Sequence, residues 1–391
     1  MAQLALQAGN SAEAKLIVDK GFAAGALGTG AEADRHKRLK ALVEKKEAED
    51  KAAFAGRLAE ATAAKDGNAL VQLGASIVAA LGGGVFCIDT GFQRPLFDAA
   101  YLIVHEGHAA FIDTGTAFAV PRLLEALAAT GLQPNAVDWI IPTHVHLDHA
   151  GGVGALLSHL PSAKVLVHPR GARHMADPAA LWQGATAVYG EDEMQRSYGA
   201  LTPVPLSRLQ ESHDDMRVVL GGRELRLADT PGHARHHHCI WDEHTRGWFT
   251  GDTFGVSYRE LDVNGQPWVL PSSTPVQFDP PRLRDSIHRL LAAQPEQMYL
   301  THYGALRDVP RLAVMQLELL SHMEVLGEEH AAQADPLALL QQGLIQIYLR
   351  SLRQHGSTLS QDDIAELLSV DVTLNAQGMA VWLQTRHKAS A

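Results

Sequence analysis

The sequence predicts an α+β protein in which a central region of strands and helices lies between two helical regions. Residues 1–83 are rich in alanine and charged residues and lack runs of β-branched residues, so helices are expected there. Across residues 84–310, short apolar runs bounded by turn residues alternate with helical stretches, which is typical of sheets covered by helices. Residues 311–391 return to apolar side chains at helical spacing. We therefore expect a helical extension, a central domain and a C-terminal helical region.

Composition and charge restrict the classes of function. Of 391 residues, 46% are hydrophobic and 20% are charged, which is ordinary for a soluble globular protein. No stretch approaches the ~20 consecutive apolar residues that span a bilayer, and the N-terminal residues lack the basic leader and apolar core of a signal peptide. A formal net charge of −11 argues against nucleic acid as the main partner, and only two cysteines favour a reducing compartment. We expect a cytoplasmic protein that acts on a small molecule, without a membrane or nucleic-acid partner.

The N-terminal region predicts helices over residues 32–58 and 68–81, separated by glycine-containing turns. The segment GNALVQLGASIVAALG (67–82) resembles the first helix of a tetratricopeptide repeat, with small residues where paired helices approach closely. A plain helical hairpin or a poorly ordered extension is the alternative. The three glycines at 82–84 mark the expected boundary with the central domain.

The elements of the central and C-terminal regions follow from short apolar runs and from helical periodicity. The C-terminal helices, one of which is expected to begin near Ser360, would form a cap or a homodimer contact. The loops 170–210 and 254–280 are expected to form pocket walls. The predicted strands cover residues 85–89, 99–107, 108–115, 138–143, 163–168, 223–230, 239–242, 247–252 and 298–302, and the predicted helices cover 121–130, 151–160, 280–293, 312–326 and 336–356.

The segment THVHLDHAGG (143–152) carries the strongest chemical pattern. It directly follows a predicted buried strand, and its His144 and His146 are two residues apart, so an extended or turning backbone can direct both imidazoles at one point. Asp148 and His149 follow at the turn into a helix. Three imidazoles and a carboxylate within six residues are well suited to Zn²⁺ or Fe²⁺. A polar loop that is rich in histidine by chance is the alternative, and further ligand motifs later in the chain argue against it.

These residues resemble the metallo-β-lactamase superfamily, whose HxHxDH signature residues 144–149 match without departure. The resemblance covers roughly residues 85–310 and implies an αββα sandwich, with ligands on loops at one edge of the paired sheets. It implies three further ligands, each after a predicted strand. These are His233 in TPGH, Asp252 in GWFTGD and His302 in THYG.

The resemblance implies two divalent metal ions, with zinc expected and iron or manganese as alternatives. Asp252 would bridge both ions. The first ion would be held by His144, His146 and His233, and the second by Asp148, His149 and His302. Two such ions lower the pKa of a shared water from ~15.7 towards ~7, which would provide hydroxide to attack a thioester, ester or lactone carbonyl. Asp148 and Asp252 are the expected catalytic carboxylates, and a proton-shuttling role is assigned to Asp148 besides its role as a ligand.

Other side chains are candidates for supporting roles. Asp113 in FIDTG would orient a ligand imidazole, with a simple Asp-Thr-Gly turn as the alternative. His237 would support the site without binding metal, whereas His236 and His238 are expected at the surface. Cys239 is expected to be buried and unreactive. The candidate pocket aromatics are Phe254, Tyr258 and Tyr303, together with Trp182 and Trp268, with packing in the core or at the rim as the alternative.

The HxHxDH form with His233, Asp252 and His302 resembles the glyoxalase II and lactonase side of the superfamily. Lactonases that open acylated homoserine lactones carry a tyrosine shortly after the bridging aspartate, whereas this chain has Thr253-Phe254-Gly255-Val256. For glutathione binding, the C-terminal region offers only Arg350, Arg353 and Arg386 without a matching motif. Two rivals remain open. One is a mononuclear iron persulfide dioxygenase that uses positions matching His144, His233 and Asp252, and the other is a non-catalytic scaffold whose helical extension recruits a partner.

Overall fold

The structure, a computed structural model, describes residues 18, 20, 22, 27–29, 33–45, 78–333 and 335–390, without the side chains of 188, 189 and 387–390. The chain divides into two compact units, Met1–Ser76 and Ile77–Ala391. In the first unit, residues 33–45 are helical. This helix lies within the one expected at 32–58, the rest of which is outside the described residues. Most of the segment that resembles a tetratricopeptide helix also lies outside them.

The second unit contains two β-sheets. In the first, the strands lie side by side in chain order, and β4, β5, β6 and β7 run parallel to one another. Its strands are β1 (Val78–Gly82), β2 (Val85–Asp89), β3 (Ala99–His105), β4 (His108–Ile112), β5 (Val137–Ile141), β6 (Lys164–Val167) and β7 (Leu209–Glu211). In the second sheet the order is β13-β12-β11-β10-β9-β8, and β11 and β12 are parallel. Its strands are β8 (Arg217–Leu220), β9 (Arg223–Asp229), β10 (His238–Asp242), β11 (Gly247–Gly251), β12 (Gln297–Leu300) and β13 (Gly304–Leu306).

The helix expected over residues 68–81 is wrong at its C-terminal end, because residues 78–82 form strand β1. This strand pairs antiparallel with β2 through a tight turn at Gly83 and Gly84, both of which have positive φ. A Cβ at Gly84 would lie 2.2 Å from the carbonyl oxygen of Val104, so only glycine fits there. Pairing with β2 provides hydrogen bonds for the backbone of residues 78–82. These bonds outweigh the helical propensity of the alanines in this segment. The boundary between the two units therefore lies before strand β1, at Ser76–Ile77, and not at the three glycines 82–84.

The helices of the second unit fall into two groups along the chain. Residues 170–210, expected as pocket loops, contain two of them, and the structure confirms the helical C-terminal region. The helices are α1 (Val120–Ala129), α2 (Leu147–Ala150), α3 (Val153–Leu157), α4 (Pro169–Ala176), α5 (Ala179–Tyr189), α6 (Pro280–Ala292), α7 (Val309–His330), α8 (Leu337–His355), α9 (Gln361–Leu367) and α10 (Ser369–Ser390). Short helical turns lie at Ala117–Ala119, Pro134–Ala136, Glu191–Glu193, Met194–Tyr198, Leu206–Arg208 and Arg259–Leu261.

Three buried clusters show how the layers stack. Side chains from both sheets, including Tyr101, Leu227 and Phe249, form one cluster between the sheets. A second cluster joins the first sheet to α1, α3 and α4, and a third joins the second sheet to helices α6 to α10. Along β3, Leu102 belongs to the helix-side cluster and Tyr101 to the inter-sheet cluster, as the alternation of a strand requires. The architecture is thus a helix–sheet–sheet–helix sandwich of the α+β class.

Strand direction brings the chemical motifs to one edge of this sandwich. Strands β4 and β5 are parallel, and β9, β11 and β12 run in one direction in the other sheet. Asp113 follows β4, the 143–149 segment follows β5, and His233, Asp252 and His302 follow β9, β11 and β12. Among the described residues, no helix has the length and apolar character needed to cross a membrane.

Candidate metal centre

Three histidine nitrogens converge after strands β5 and β9. His144 Nε2 lies 2.6 Å from His146 Nδ1, and His233 Nε2 lies 3.2 Å from the same atom. His146 has an extended backbone at the N-terminus of α2, which turns its ring back towards His144. The three side chains form one group that could hold a metal ion.

A second group lies beside the first. His302 Nε2 is 3.3 Å from Asp148 Oδ2, and His149 Nε2 is 3.8 Å from the same oxygen. Asp148 and His149 are both on the short helix α2, whereas His302 follows β12 in the other sheet. The two sheets therefore each contribute ligand atoms to this group.

Asp252 lies between the two groups and faces both. Its Oδ2 is 3.3 Å from His233 Nε2, while its Oδ1 is 3.4 Å from His149 Nε2 and 3.8 Å from His302 Nε2. Its backbone N–H donates a hydrogen bond to His237 Nε2. One carboxylate thus presents a different oxygen to each group.

The donor atoms suit divalent metal ions. Within the described part of the chain, His149 Nε2 and Asp252 Oδ1 are buried and have no hydrogen-bond partner. Leaving such atoms unpaired costs ~1–3 kcal/mol each, so they are expected to meet a ligand. Imidazole nitrogens and carboxylate oxygens are the atoms that zinc and related ions bind.

Asp113 fixes the orientation of His149. The His149 Nδ1–H donates to Asp113 Oδ2 at 2.9 Å, which leaves Nε2 directed at the centre. The carboxylate is itself held by the Thr143 backbone N–H at 2.6 Å and the Thr301 hydroxyl at 2.8 Å. Asp113 therefore joins the loops after β4, β5 and β12, and it does more than form a local turn.

Backbone carbonyls orient two further imidazoles. His233 Nδ1–H donates to the Ser272 carbonyl at 3.1 Å, and His302 Nδ1–H donates to the Phe97 carbonyl at 2.9 Å. Because a carbonyl can only accept, each ring carries a proton on Nδ1 and directs Nε2 at the centre. The Ser272 hydroxyl also donates to Asp252 Oδ2 at 3.2 Å.

His237 supports Asp252 from behind. Its Nε2 accepts a hydrogen bond from the Asp252 backbone N–H at 3.2 Å, and its Nδ1 lies 3.0 Å from the Thr230 hydroxyl. Gly251 has φ +47°, and a Cβ there would lie 2.6 Å from His237 Nε2. Glycine before Asp252 is therefore required by the close approach of this ring.

Burial and mutual charge set the protonation of the centre. Burial lowers the pKa of His144 and His146 well below the usual range, so both rings are neutral. Burial opposes ionisation of Asp252, but His233 and His149 hold its pKa well below the ordinary value. Burial likewise opposes protonation of His302, yet Asp252 and Asp148 raise its pKa to about 9. The carboxylates thus create a negative field that cations would neutralise.

Two neighbouring histidines differ from the expectation that they lie at the surface. His236 and His238 are both buried. His238 accepts from the Ser212 hydroxyl at 2.9 Å and donates to the Pro142 carbonyl at 2.9 Å, so it ties β10 to the first sheet. The His236 ring lies 5.3 Å from that of His146. The two bonds of His238 offset its burial, whereas His236 Nδ1 is buried without a hydrogen-bond partner among the described residues.

The aromatic side chains expected to line a pocket mostly pack the interior. Phe254 and Trp268 are fully buried beneath the C-terminal helices, where they cannot line an open cavity. Tyr303 packs against the inter-sheet cluster. Tyr258 is buried, and its hydroxyl donates to Asp371 Oδ1 at 2.9 Å. Trp182 is half-buried beside an apolar cluster that includes Leu147 of the histidine motif.

The segment between β2 and β3 contributes residues that the sequence did not single out. The Phe97 ring lies 5.3 Å from the His302 ring and stacks on Tyr258 at 5.2 Å. The Arg94 guanidinium lies 4.5 Å from the Phe97 ring centre. Asp98, next in sequence, is fully buried, and burial raises its pKa to about 7. No sequence motif predicts these residues, because Phe97 contacts His302, which lies about 200 positions away in the sequence.

Comparison with known proteins places this centre in a family. The sequence model described as "Metallo-beta-lactamase superfamily" matches residues 93–302, more than half of the chain. A metallo-beta-lactamase fold-containing protein of Sulfurisphaera tokodaii is 29% identical over 174 residues, 44% of this chain and 62% of that protein. A hydroxyacylglutathione hydrolase of Aeromonas hydrophila is 34% identical over 161 residues, 41% of this chain and 48% of that protein. An acyl-coenzyme A thioesterase of Gallus gallus is 29% identical over 246 residues, 58% and 81% of the two chains.

Solved structures support the fold. The metallo-beta-lactamase superfamily protein of Sulfolobus tokodaii superposes with a TM-score of 0.50 at 26% identity, covering 69% of this chain and 98% of that one. A metallo-beta-lactamase family protein of Thermus thermophilus gives a TM-score of 0.52 at 22% identity, with 79% and 95% covered. The chain spans only about half to three-fifths of the first curated relatives in sequence. Together, the sandwich, the ordered ligand motifs and the family match identify the chain as a member of the metallo-beta-lactamase superfamily.

Proposed function

We propose that this protein is a dinuclear metal-dependent hydrolase that cleaves a thioester, with esters and lactones as the other carbonyl substrates open to the same chemistry. Asp252 would bridge the two ions. The proposed ligands are His144, His146 and His233 for the first ion and Asp148, His149 and His302 for the second. The observation that carries the proposal is the orientation of Asp252, whose two oxygens face separate groups of ligand atoms at 3.3 and 3.4 Å.

The exposure of the ligands indicates where substrate would approach. Of the seven side chains, only His146 and Asp148 are partly exposed, and the other five are buried. The Asp148 side chain is 24% exposed to solvent. A substrate carbonyl would therefore reach the centre beside these two residues.

The chemistry follows from this placement. Bound divalent ions would lower the pKa of water so that hydroxide is available near neutral pH, and would polarise the carbonyl. Attack forms a C–O bond, and collapse of the adduct breaks the C–S bond to release a thiolate. Partial burial opposes ionisation of Asp148, but His149 and His302 hold its pKa below the ordinary range, so this carboxylate is ionised. Because Asp148 lies at the open side of the centre, it would accept the proton of the attacking group. Asp148 would then pass that proton to the departing sulfur.

The relatives favour a thioester over the other two substrates. Both the hydroxyacylglutathione hydrolase and the acyl-coenzyme A thioesterase are named for thioester substrates. To test this, the purified protein would be assayed on thioesters, esters and lactones before and after chelation, and again after zinc is restored. We expect thioester hydrolysis that is lost on chelation and recovered with metal. A metal-loaded protein that cleaves none of the three substrate classes would contradict the proposal.

An iron persulfide dioxygenase is the second candidate, because His144, His233 and Asp252 also lie close together. The second group of ligand atoms argues against it, since a single iron would leave His149 Nε2 buried without a partner. Oxygen consumption with a persulfide substrate by the iron-loaded protein, without thioester hydrolysis, would favour this candidate.

A further inference from the structure

A cleft of about 630 Å³ adjoins the segment that carries His233. Gly232 and Arg235 line this cleft, and His233 lies between them in the sequence. Because adjacent Cα atoms are ~3.8 Å apart, the cleft wall and the metal centre share this stretch of backbone. Arg170, at the start of α4, lines the same cleft.

Four arginines surround the cleft, although the chain as a whole has a formal net charge of −11. They come from four separate places, the starts of α4 and α6, the His233 segment and helix α10. All four side chains are exposed. They are Arg170, Arg235, Arg282 and Arg386.

Two of these arginines are already paired. Arg282 Nε lies 3.5 Å from Asp279 Oδ2, and Arg386 forms an ion pair with Glu328. Among the residues that the structure describes, neither Arg170 nor Arg235 forms an ion pair with a carboxylate. Arg170 instead donates to the Arg235 carbonyl at 3.4 Å, so its guanidinium lies against the backbone of Arg235. Asp279 also lines the cleft, and it pairs with Arg282.

The backbone that carries these groups is held in place. The Arg170 backbone N–H donates to His168 Nδ1 at 3.1 Å, and the Arg235 backbone N–H donates to Gln277 Oε1 at 2.8 Å. Gly232 packs so closely on α6 that a Cβ would lie 2.3 Å from the Leu283 backbone. The backbone at both arginines is therefore held in place.

We propose that this arginine cleft binds the anionic carrier portion of the substrate, through phosphate or carboxylate groups on Arg170 and Arg235. The inference rests on the thioester hydrolysis proposed above. Guanidinium groups bind both kinds of oxyanion through paired N–H donors. The cleft volume is within the range that holds whole small molecules, so it suits a carrier bearing such groups better than a lone ion.

The test compares three thioesters with the same acyl group. Their carriers are coenzyme A, which has phosphates, glutathione, which has carboxylates, and neutral N-acetylcysteamine. We expect Arg170→Ala and Arg235→Ala each to raise the KM of one anionic thioester about tenfold, with kcat and the neutral thioester unaffected. Arg217→Ala is the matched control, because Arg217 is an exposed arginine on β8 that pairs with Glu224 at 2.8 Å. A higher KM for the coenzyme A thioester would show that the arginines bind phosphate, and a higher KM for the glutathione thioester would show that they bind carboxylate.

Direct binding separates this inference from the hydrolase proposal. Calorimetric titration of free coenzyme A and free glutathione should show binding of one carrier to the parent and to His146→Ala, and about tenfold weaker binding to Arg235→Ala. If no thioester is cleaved but carrier binding still depends on the arginines, the hydrolase proposal fails and the cleft assignment stands. If all three thioesters are cleaved alike, and neither KM nor carrier binding changes in the arginine variants, the cleft assignment is wrong.

Discussion

At the scale of single residues, the centre depends on side chains that orient the ligands as much as on the ligands themselves. Asp113 is the clearest example, since it accepts from His149, from Thr143 and from Thr301 at 2.6 to 3.0 Å. Its carboxylate fixes the tautomer of His149 and increases the basicity of the ring nitrogen that faces the centre. A neutral amide in its place would do neither well.

We therefore predict that Asp113→Asn weakens the binding of the second metal ion by about 10- to 100-fold while the fold is retained. Competition with a coloured chelator would measure the two affinities separately. Asp138→Asn is a matched control, because Asp138 also accepts from a histidine, His108 Nδ1 at 2.8 Å, but on an exposed face. Equal affinities for Asp113→Asn and the control would show that the Asp113 contact has no role in metal binding.

The two cysteines are fully enclosed and give a second prediction at this scale. Cys87 and Cys239 are buried and free, and burial raises the pKa of each thiol to about 12. Because only the thiolate reacts, neither should be alkylated by iodoacetamide in the native protein up to pH 9, whereas both should react in denaturant. Mass spectrometry would count the adducts. Rapid native labelling of either thiol would contradict its burial.

At the scale of elements, the C-terminal helices contact segments that surround the candidate metal centre. Asn375 on α10 accepts from the Ser273 backbone N–H at 2.8 Å and donates to the Pro271 carbonyl at 3.0 Å and the Tyr348 hydroxyl at 2.8 Å. Ser272 lies between those two backbone contacts. It orients His233 through its carbonyl and Asp252 through its hydroxyl. Helix α10 thus supports the segment through which Ser272 contacts His233 and Asp252.

Asn375→Ala should accordingly lower the free energy of unfolding by about 1–3 kcal/mol, because it removes buried hydrogen bonds. It should also weaken metal binding, since the Ser272 contacts lose their support. Thr373→Ala is the control on the same helix, as the exposed Thr373 hydroxyl donates only to the Ser369 carbonyl. Denaturant unfolding of the metal-free protein and chelator competition would separate the two effects. A destabilised Asn375→Ala protein with unchanged metal affinity would show that α10 does not position the centre.

The elements that could be predicted from the sequence are those whose pattern is local. Strands β5, β9, β11 and β12 each show an apolar run that stops at a ligand motif, and the start of α9 shows the Ser360–Asp363 capping box. Strand β1 could not be predicted, because its alanines and valine fit a helix equally well and its partner β2 decides the outcome. The contacts of Phe97, Asp371 and Asn375 were equally hidden, since each joins residues about 100 or more positions apart.

At the scale of the whole molecule, two sheets and the helices on their outer faces bring five loops to one edge. No single loop could form the centre, because the two groups of ligand atoms combine residues that follow β5, β9, β11 and β12. The αββα arrangement was expected from resemblance alone, since periodicity could not determine how the sheets face each other. The ligand motifs were more informative, because each ends a strand and their order along the chain follows the family.

Metal content tests the dinuclear centre most directly. The protein would be purified without added metal and analysed for its elements, beside the His146→Ala variant and the surface control Arg217→Ala. We predict about two equivalents of zinc, iron or manganese in the parent and in the control, and a clear loss in His146→Ala, because this ring joins His144 and His233 in the first site. A parent protein that holds no metal even after reconstitution, or only one ion with both groups of ligands intact, would contradict the dinuclear centre.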